Sequence, residues 1–345
     1  LANLADTFQA IPSFTPTSSP ELDELFLNFR EKVFTPFALA QHHRDLIYKK
    51  SRHHLLINDP GVTVTLSQDE EVRLMPMEPR EKPNKIKSLN RLADLLSQTK
   101  DVEGWTNLPA YLEGLEMAKE KYPDSWIEKI TRRANLTGKT GIIKLCAEMV
   151  KKTGVSLAKP GMTQELMIGY HMQAAQGGFA GEALEKAWKS AEQVSLMMED
   201  KLHCAGKLKE GQRDMRKDPI VLGILLELAA KTAVNTNNGE DVHGKVASFV
   251  VRTLAATKDE PWVLPKQDGS EHKISALLTK WVPLWNGMRT ALEVKTISSG
   301  PNAGELRSRC NSLEKAVRKA EQKIQAWWKK DEKPRSLKLL EELRR

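Results

Sequence analysis

The side chains that first suggest chemistry are two histidine pairs, His42-His43 and His53-His54, because imidazoles are common metal ligands. Positions 42 and 53 lie eleven residues apart, so on one continuous helix they share a face. At about 1.5 Å rise per residue they stand about 16 Å apart. Metal–nitrogen bonds are about 2 Å long, so a single ion cannot join the two pairs. No CxxC or HExxH spacing adds ligands elsewhere. A second candidate is Thr137-Gly138-Lys139-Thr140, which has the form of the end of a phosphate-binding loop. The full motif needs glycine four residues before the Gly-Lys pair, and Arg133 stands there. It also needs a preceding strand, whereas Trp126 to Asn135 has helical spacing. No Gly-x-Ser-x-Gly elbow and no local Cys-His pairing points to a nucleophile. The expectation is a protein that is not an enzyme and takes no cofactor and no small-molecule substrate.

The remaining chemistry is charge. The chain has 345 residues, with 53 Lys and Arg against 45 Asp and Glu, a formal net charge of +8. Such a balance favours a polyanionic partner, RNA or an anionic membrane. Two segments concentrate it. Arg44, Lys49, Lys50, Arg52, His53 and His54 crowd one stretch near the N-terminus. From residue 305 to the end, 13 Lys and Arg face 7 Asp and Glu, which is most of the excess. There Arg318, Lys319 and Lys323, then Lys329, Lys330, Lys333 and Arg335, surround Trp327-Trp328. Phosphates accept from all these cations and indoles can stack on unpaired bases. The competing reading is a solvated basic face, with Trp327 a core anchor and Trp328 the better candidate for an outside contact.

The elements that must carry these residues are mostly helical. Residues 1–20 are rich in Pro, Ser and Thr and read as an extended arm. Residues 21–100 form an N-terminal helical region. Leu22, Leu25, Phe26 and Phe29 share a helix face, and a second helix is expected from Pro36 to Leu56. After the turn Asn58-Asp59-Pro60-Gly61, Val62, Val64 and Leu66 alternate with threonines, and Val72 and Leu74 supply the partner of a small β-hairpin near 62–75. A Pro-rich linker, 76–87, leads to a helix carrying Leu89, Leu92, Leu95 and Leu96.

Residues 106–257 read as a domain of helical hairpins. A helix over 108–121 precedes one opening at Asp124, a candidate N-cap, with Trp126, Ile127 and Ile130 on one face. Its partner runs from Gly141 through Met149. Further pairs run from Met162 and from Pro219, separated by a charged insertion, Lys201 to Lys217. The corners carry Gly138 and Gly141, Gly178 and Gly181, and Gly239 and Gly244, suited to tight turns because glycine accepts positive φ. Hairpins of this kind bury their second face only by stacking on neighbours. The apolar run Pro219 to Ala230 is too short to span a bilayer and contains Glu227, so it reads as a buried helix. Cys146, Cys204 and Cys310 read as small core residues, reduced in an intracellular compartment.

In the C-terminal region, 258–345, Leu306, Cys310, Leu313, Val317, Ala320, Ile324 and Trp327 alternate spacings of four and three. This heptad seam lies within a basic helix over 305–330 that packs either on the chain itself or on a partner. The fold expected is mainly α: stacked antiparallel helical hairpins, α-solenoid-like, with a small N-terminal β-hairpin and a long C-terminal amphipathic helix.

The ending of the first hairpin resembles a pentatricopeptide-type repeat. Leu145-Cys146-Ala147-Glu148-Met149, then Gly154-Val155, then Pro160, follow that family's succession of apolar residue, Glu, Met, Gly, apolar residue and Pro. The overall layout is similar to the pentatricopeptide-type helical-repeat proteins of the fungal mitochondrial small ribosomal subunit. The resemblance implies a structural constituent of a ribosome in the mitochondrial matrix, with ribosomal RNA and neighbouring ribosomal proteins as partners. The alternative is a free organellar RNA-binding repeat protein in RNA processing or translation activation. A chain opening on Leu1 also fits removal of an organelle-targeting leader.

Overall fold

A computed structural model describes residues 11–58, 60–67, 70–98, 102–206, 208, 211–265, 270–328 and 332–344. Its contacts divide the chain into two compact units, Leu1–Val155 and Ser156–Arg345. The division falls within the stretch 106–257 that the sequence reads as one repeat domain.

Half of the expected arm, residues 1–10, lies outside the described residues; residues 11–19 are extended and fastened down. Asn107 Nδ2 donates to the Thr15 carbonyl at 2.7 Å, and its Oδ1 accepts from the Thr15 N–H at 2.9 Å. Phe14 stacks on Phe26 with centroids 4.7 Å apart. Helix α1 (Pro20–Phe29) buries Leu22, Phe26 and Phe29 and runs into a π-helical segment, Arg30–Phe34. The expected helix from Pro36 to Leu56 is broken into α2 (Thr35–Ala38), α3 (Gln41–Tyr48), a 3₁₀ turn at Lys50–Arg52 and α4 (His53–Ile57). Leu39 and Lys49 both adopt extended backbone, which stops propagation. The continuous helix assumed in spacing the histidine pairs therefore does not exist.

Strands β1 (Thr63–Ser67) and β2 (Glu70–Arg73) pair antiparallel, Val64 opposite Val72. Helices α5 (Lys85–Gln98), α6 (Val102–Thr106), α7 (Leu108–Met117), α8 (Asp124–Leu136), α9 (Thr140–Glu148) and α10 (Val150–Thr153) complete the unit. Tyr111 of α7 meets Phe26, Phe29 and Phe34 at 5.2–6.0 Å between ring centroids, the aromatic centre of this core. The indole N–H of Trp126 donates to the Leu89 carbonyl at 2.7 Å and ties α8 to α5. Asp124, expected as N-cap, is instead the first helical residue, and Pro123 holds the cap position. Proline there leads the chain into the helix in extended backbone, and the carboxylate serves in the first turn.

The second unit holds α11 (Pro160–Gln176), α12 (Gly181–Met197), α13 (Pro219–Thr236), α14 (Lys245–Ala256), α15 (Glu271–Ala291), α16 (Lys295–Ser298), α17 (Ala303–Trp327) and α18 (Arg335–Glu342). Helix α13 is the centre, buried on every side and packed by α11, α12, α14 and α15. Asp218 caps it, accepting from the N–H groups of Ile220 at 3.0 Å and Val221 at 3.2 Å. The heptad seam of α17 packs within this unit against α15, burying Leu306, Cys310, Leu313, Val317, Ala320 and Ile324. Gly223 and Gly287 lie where α13 and α15 cross; a Cβ on Gly287 would stand 2.5 Å from the Gly223 carbonyl oxygen. At the hairpin corners Gly138 and Gly178 have φ of +71° and +63° with open space around the missing Cβ, so the sign of φ, not room, calls for glycine.

The α13–α15 crossing also encloses a polar cluster. Glu227, His171 and Asn286 are fully buried. Glu227 Oε2 lies 2.6 Å from His171 Nδ1, and Asn286 Nδ2 donates to Oε1. Three helices, α11, α13 and α15, are thereby joined through one carboxylate. The charged insertion Lys201 to Lys217 is anchored as well: Cys204 and Met215 are buried, and Arg216 clasps Asp214 and Glu199, each at 2.9 Å.

Candidate nucleic-acid interface

The N-terminal basic segment spends part of its charge locally. Lys49 pairs with Asp45 at 2.7 Å, and Lys50 with Glu78 at 2.9 Å, which Arg80 also reaches at 3.0 Å. The hydrogen bond from Lys49, with a weaker one from Gln41, holds the Asp45 carboxyl below its ordinary range. Burial and the neighbouring His42 lower the His43 pKa, so this imidazole adds no charge at neutral pH. His53 Nε2 lies 2.9 Å from the Ile47 carbonyl oxygen, to which it must donate. Arg52 and His54 remain exposed and make no direct ion pair among the described residues. Arg44 is half-buried, its Nε without an acceptor among the described residues. The break between α3 and α4 thus divides the segment between local ion pairs and a few outward cations.

In the second unit the sequence-derived residues separate more sharply. Arg318 is turned back onto Glu314 one helical turn away, at 3.0 Å. Lys319 and Lys323 are exposed and unpaired among the described residues. Lys315, which the sequence reading passed over, is exposed likewise and completes a row at four-residue spacing on α17. Consecutive members of this row stand about 6 Å apart along the helix. The signal was available in the i, i+4 repeat of lysines opposite the heptad seam. Trp328 is half-buried; its Nε1 donates to the Glu332 carbonyl at 2.9 Å, and Lys333 Nζ sits 5.6 Å from its ring centre. Lys333 also pairs with Glu341. Trp327, the last seam position, is half-buried and meets His272 edge-on at 5.0 Å. Arg335 is drawn inward, bound to the buried Glu165 at 2.7 Å. Lys329 and Lys330 lie outside the described residues.

The hairpin surfaces differ in character. Cations there are largely matched with carboxylates on the helices: Arg132 with Glu128 at 2.8 Å, Lys144 with Glu148 at 3.0 Å, and Lys186 with Glu182 at 2.7 Å. Large apolar side chains stand in solvent beside them, Leu136 and Leu145 in the first unit and Leu196 and Val251 in the second. Neutralised charge with exposed apolar surface suits protein contacts; the lysine row suits phosphates. Among the described residues no helix is long and apolar enough to cross a membrane.

Comparison with known proteins bears on this arrangement. A family model described as mitochondrial ribosomal protein mS27 matches residues 3–342. The small ribosomal subunit protein mS27 of Neurospora crassa is 28% identical over 276 residues, 72% of this chain and 66% of that protein. The match therefore spans just under two thirds of that relative's length.

Proposed function

The chain belongs to the mitochondrial ribosomal protein mS27 family, and from that membership we propose that it scaffolds the small subunit in the mitochondrial matrix, gripping ribosomal RNA through its basic flanks and neighbouring proteins through its hairpin surfaces. As a member of a mitochondrial ribosomal protein family it is a structural ribosome component, not an enzyme. The observation that carries the division of labour is the row Lys315, Lys319 and Lys323, exposed and without ion pairs among the described residues, set against hairpin cations most of which are paired with neighbouring carboxylates. Unpaired lysines release counterions when they meet phosphates, whereas paired ones must first give up a partner. The hairpin faces have the exposed leucines instead, surface that gains from burial against protein.

Sedimentation tests the reading. The tagged chain is expected to travel with the small subunit through a high-salt gradient, because buried protein contacts persist when phosphate contacts are screened. Release as free protein at high salt would favour a mobile RNA-binding protein instead.

A further inference from the structure

We propose that the groove bounded by α15, α17 and α18 is a binding cleft for single-stranded RNA, holding a phosphate between Arg289 and Arg307 and a base against the Trp285–Arg289 platform. The proposal rests on the RNA-contacting role above and gives it a site that shares only Arg318 with the basic residues named from sequence. The groove is open to solvent, with a volume of about 800 Å³. Four arginines, Arg289, Arg307, Arg318 and Arg344, face two carboxylates, Glu314 and Glu321. Both carboxylates are already engaged. Arg344 grips Glu321 through two bonds of 2.7 and 2.8 Å, and Arg318 holds Glu314. Arg289 and Arg307 are left without a counter-charge among the described residues, and Arg307 is exposed.

The inner wall has the form of a stacking platform. The Arg289 guanidinium lies 4.8 Å from the Trp285 ring centre. One of its terminal nitrogens donates to Asn286 Oδ1 at 3.0 Å, which fixes its plane. Arg289 Nε and Trp285 Nε1 are buried behind this wall and have no acceptor among the described residues. A planar cation on an indole suits a base and its phosphate. Asn311, Gln322 and Gln325 line the same groove and offer amides to base edges. An acidic peptide would meet the arginines equally well but would also seek apolar pockets. Of the groove's aliphatic residues, Val317 and Leu340 are already buried in the core, and half-buried Leu292 keeps too little surface to form an apolar pocket.

Two measurements test this. In the first, intact mitochondrial small subunits are irradiated with ultraviolet light and nucleotide-bearing peptides are mapped. Adducts are expected on the peptides containing Trp285 and residues 307–322. A chain present in the subunit whose adducts all fall elsewhere, or whose groove is cross-linked to a protein neighbour, overturns the proposal. In the second, the purified full chain is titrated with a uridine oligonucleotide. Wild type is expected to bind with quenching of tryptophan fluorescence, and Arg307→Glu with Gln322→Ala to bind at least about tenfold more weakly. Both positions are exposed, so folding is retained. Unchanged affinity in the double variant overturns the groove as the site. If the chain fails to sediment with the subunit yet the double variant loses the oligonucleotide, the ribosomal reading falls while the groove stands.

Discussion

Replacing Gly287 by alanine sets two opposed effects against each other, and the structure decides which wins. On helix propensity alone, Gly→Ala inside α15 stabilises by about 1 kcal/mol. The new Cβ, however, would stand 2.5 Å from the Gly223 carbonyl oxygen, 2.9 Å from the Glu227 nitrogen and 3.2 Å from the Glu227 Cα. All three are backbone atoms of α13, so no side chain can rotate away; the helices must part by about 1 Å to restore ordinary contact. Overpacking of this kind costs about 1–3 kcal/mol. Parting α15 from α13 also stretches the bond from Asn286 to the buried Glu227, worth about 1.5–3 kcal/mol as a hydrogen bond to a charged group. The expected net loss is about 2–4 kcal/mol, roughly 5–12 °C in the melting temperature of a unit this size. The assay is calorimetry on the full chain, following the transition that moves. Gly304→Ala is the control: it is also helical in the same unit, but its Cβ would meet nothing within 4 Å, so it should be neutral or slightly stabilising. A Gly287→Ala chain as stable as wild type, or more so, would refute the close-crossing argument.

Further outcomes are expected. Glu227→Leu strands the donors of His171 and Asn286 in the core and should cost about 3–5 kcal/mol in denaturant titration; a loss below about 1 kcal/mol would mean the cluster is dispensable. Hydrogen bonds from Lys82 chiefly, and from Lys85, hold the Glu120 carboxyl below its usual range. That contribution is present above the unfolded carboxyl's pKa and is lost as pH falls through the lower folded value. The melting temperature of Lys82→Ala should therefore approach that of wild type in acid, and parallel curves would contradict the assignment. Burial pushes the thiol pKa of Cys146 up to about 12 and those of Cys204 and Cys310 to about 11, so a disulfide reagent at pH 8 should label none in the native chain and all three after denaturation. Charge reversal of Lys315, Lys319 and Lys323 together should weaken RNA binding and flatten its salt dependence by about two logarithmic units per decade of salt. An unaltered slope would remove the row from the RNA contact.

The helices that could be read from sequence are those whose own pattern is long enough to outvote local accidents. The seam from Leu306 to Ile324 repeats without a break and is buried at every position. Helix α13 announced itself by an apolar run with one acid, and that acid proved to be the centre of the polar core. Short elements escaped. The segment from Pro36 to Leu56 has helical composition throughout, but two residues of extended backbone, Leu39 and Lys49, cut it, and nothing in their side chains signals this. Helix α18 has only eight residues, too few for periodicity to speak. Site residues were harder still, because a count of lysines and arginines says nothing about where each charge is spent. Arg335 lies among basic neighbours in sequence but meets Glu165, 170 positions away. Lys315 was legible by spacing, whereas the groove of Trp285 and Arg307 required the packing of α15 against α17 to exist at all.

The polar core has one more consequence, for the chemical ageing of the chain. Asn286 is followed by Gly287, the dipeptide in which an asparagine side chain most readily cyclises onto the next backbone nitrogen and deamidates. In α15 that nitrogen is held in helical geometry and Asn286 is fully buried, its amide committed to Glu227. Asn238-Gly239 has the same dipeptide in a turn with the Asn238 side chain exposed, where a new carboxylate would cost little packing. Deamidation at 286 would replace the amide donor by a second carboxyl group beside Glu227 and remove the hydrogen bond that joins α15 to α13. Any opening of α15 long enough to admit that reaction would be made permanent by it, so the crossing of Gly223 and Gly287 also sets how long a folded molecule keeps its original covalent structure.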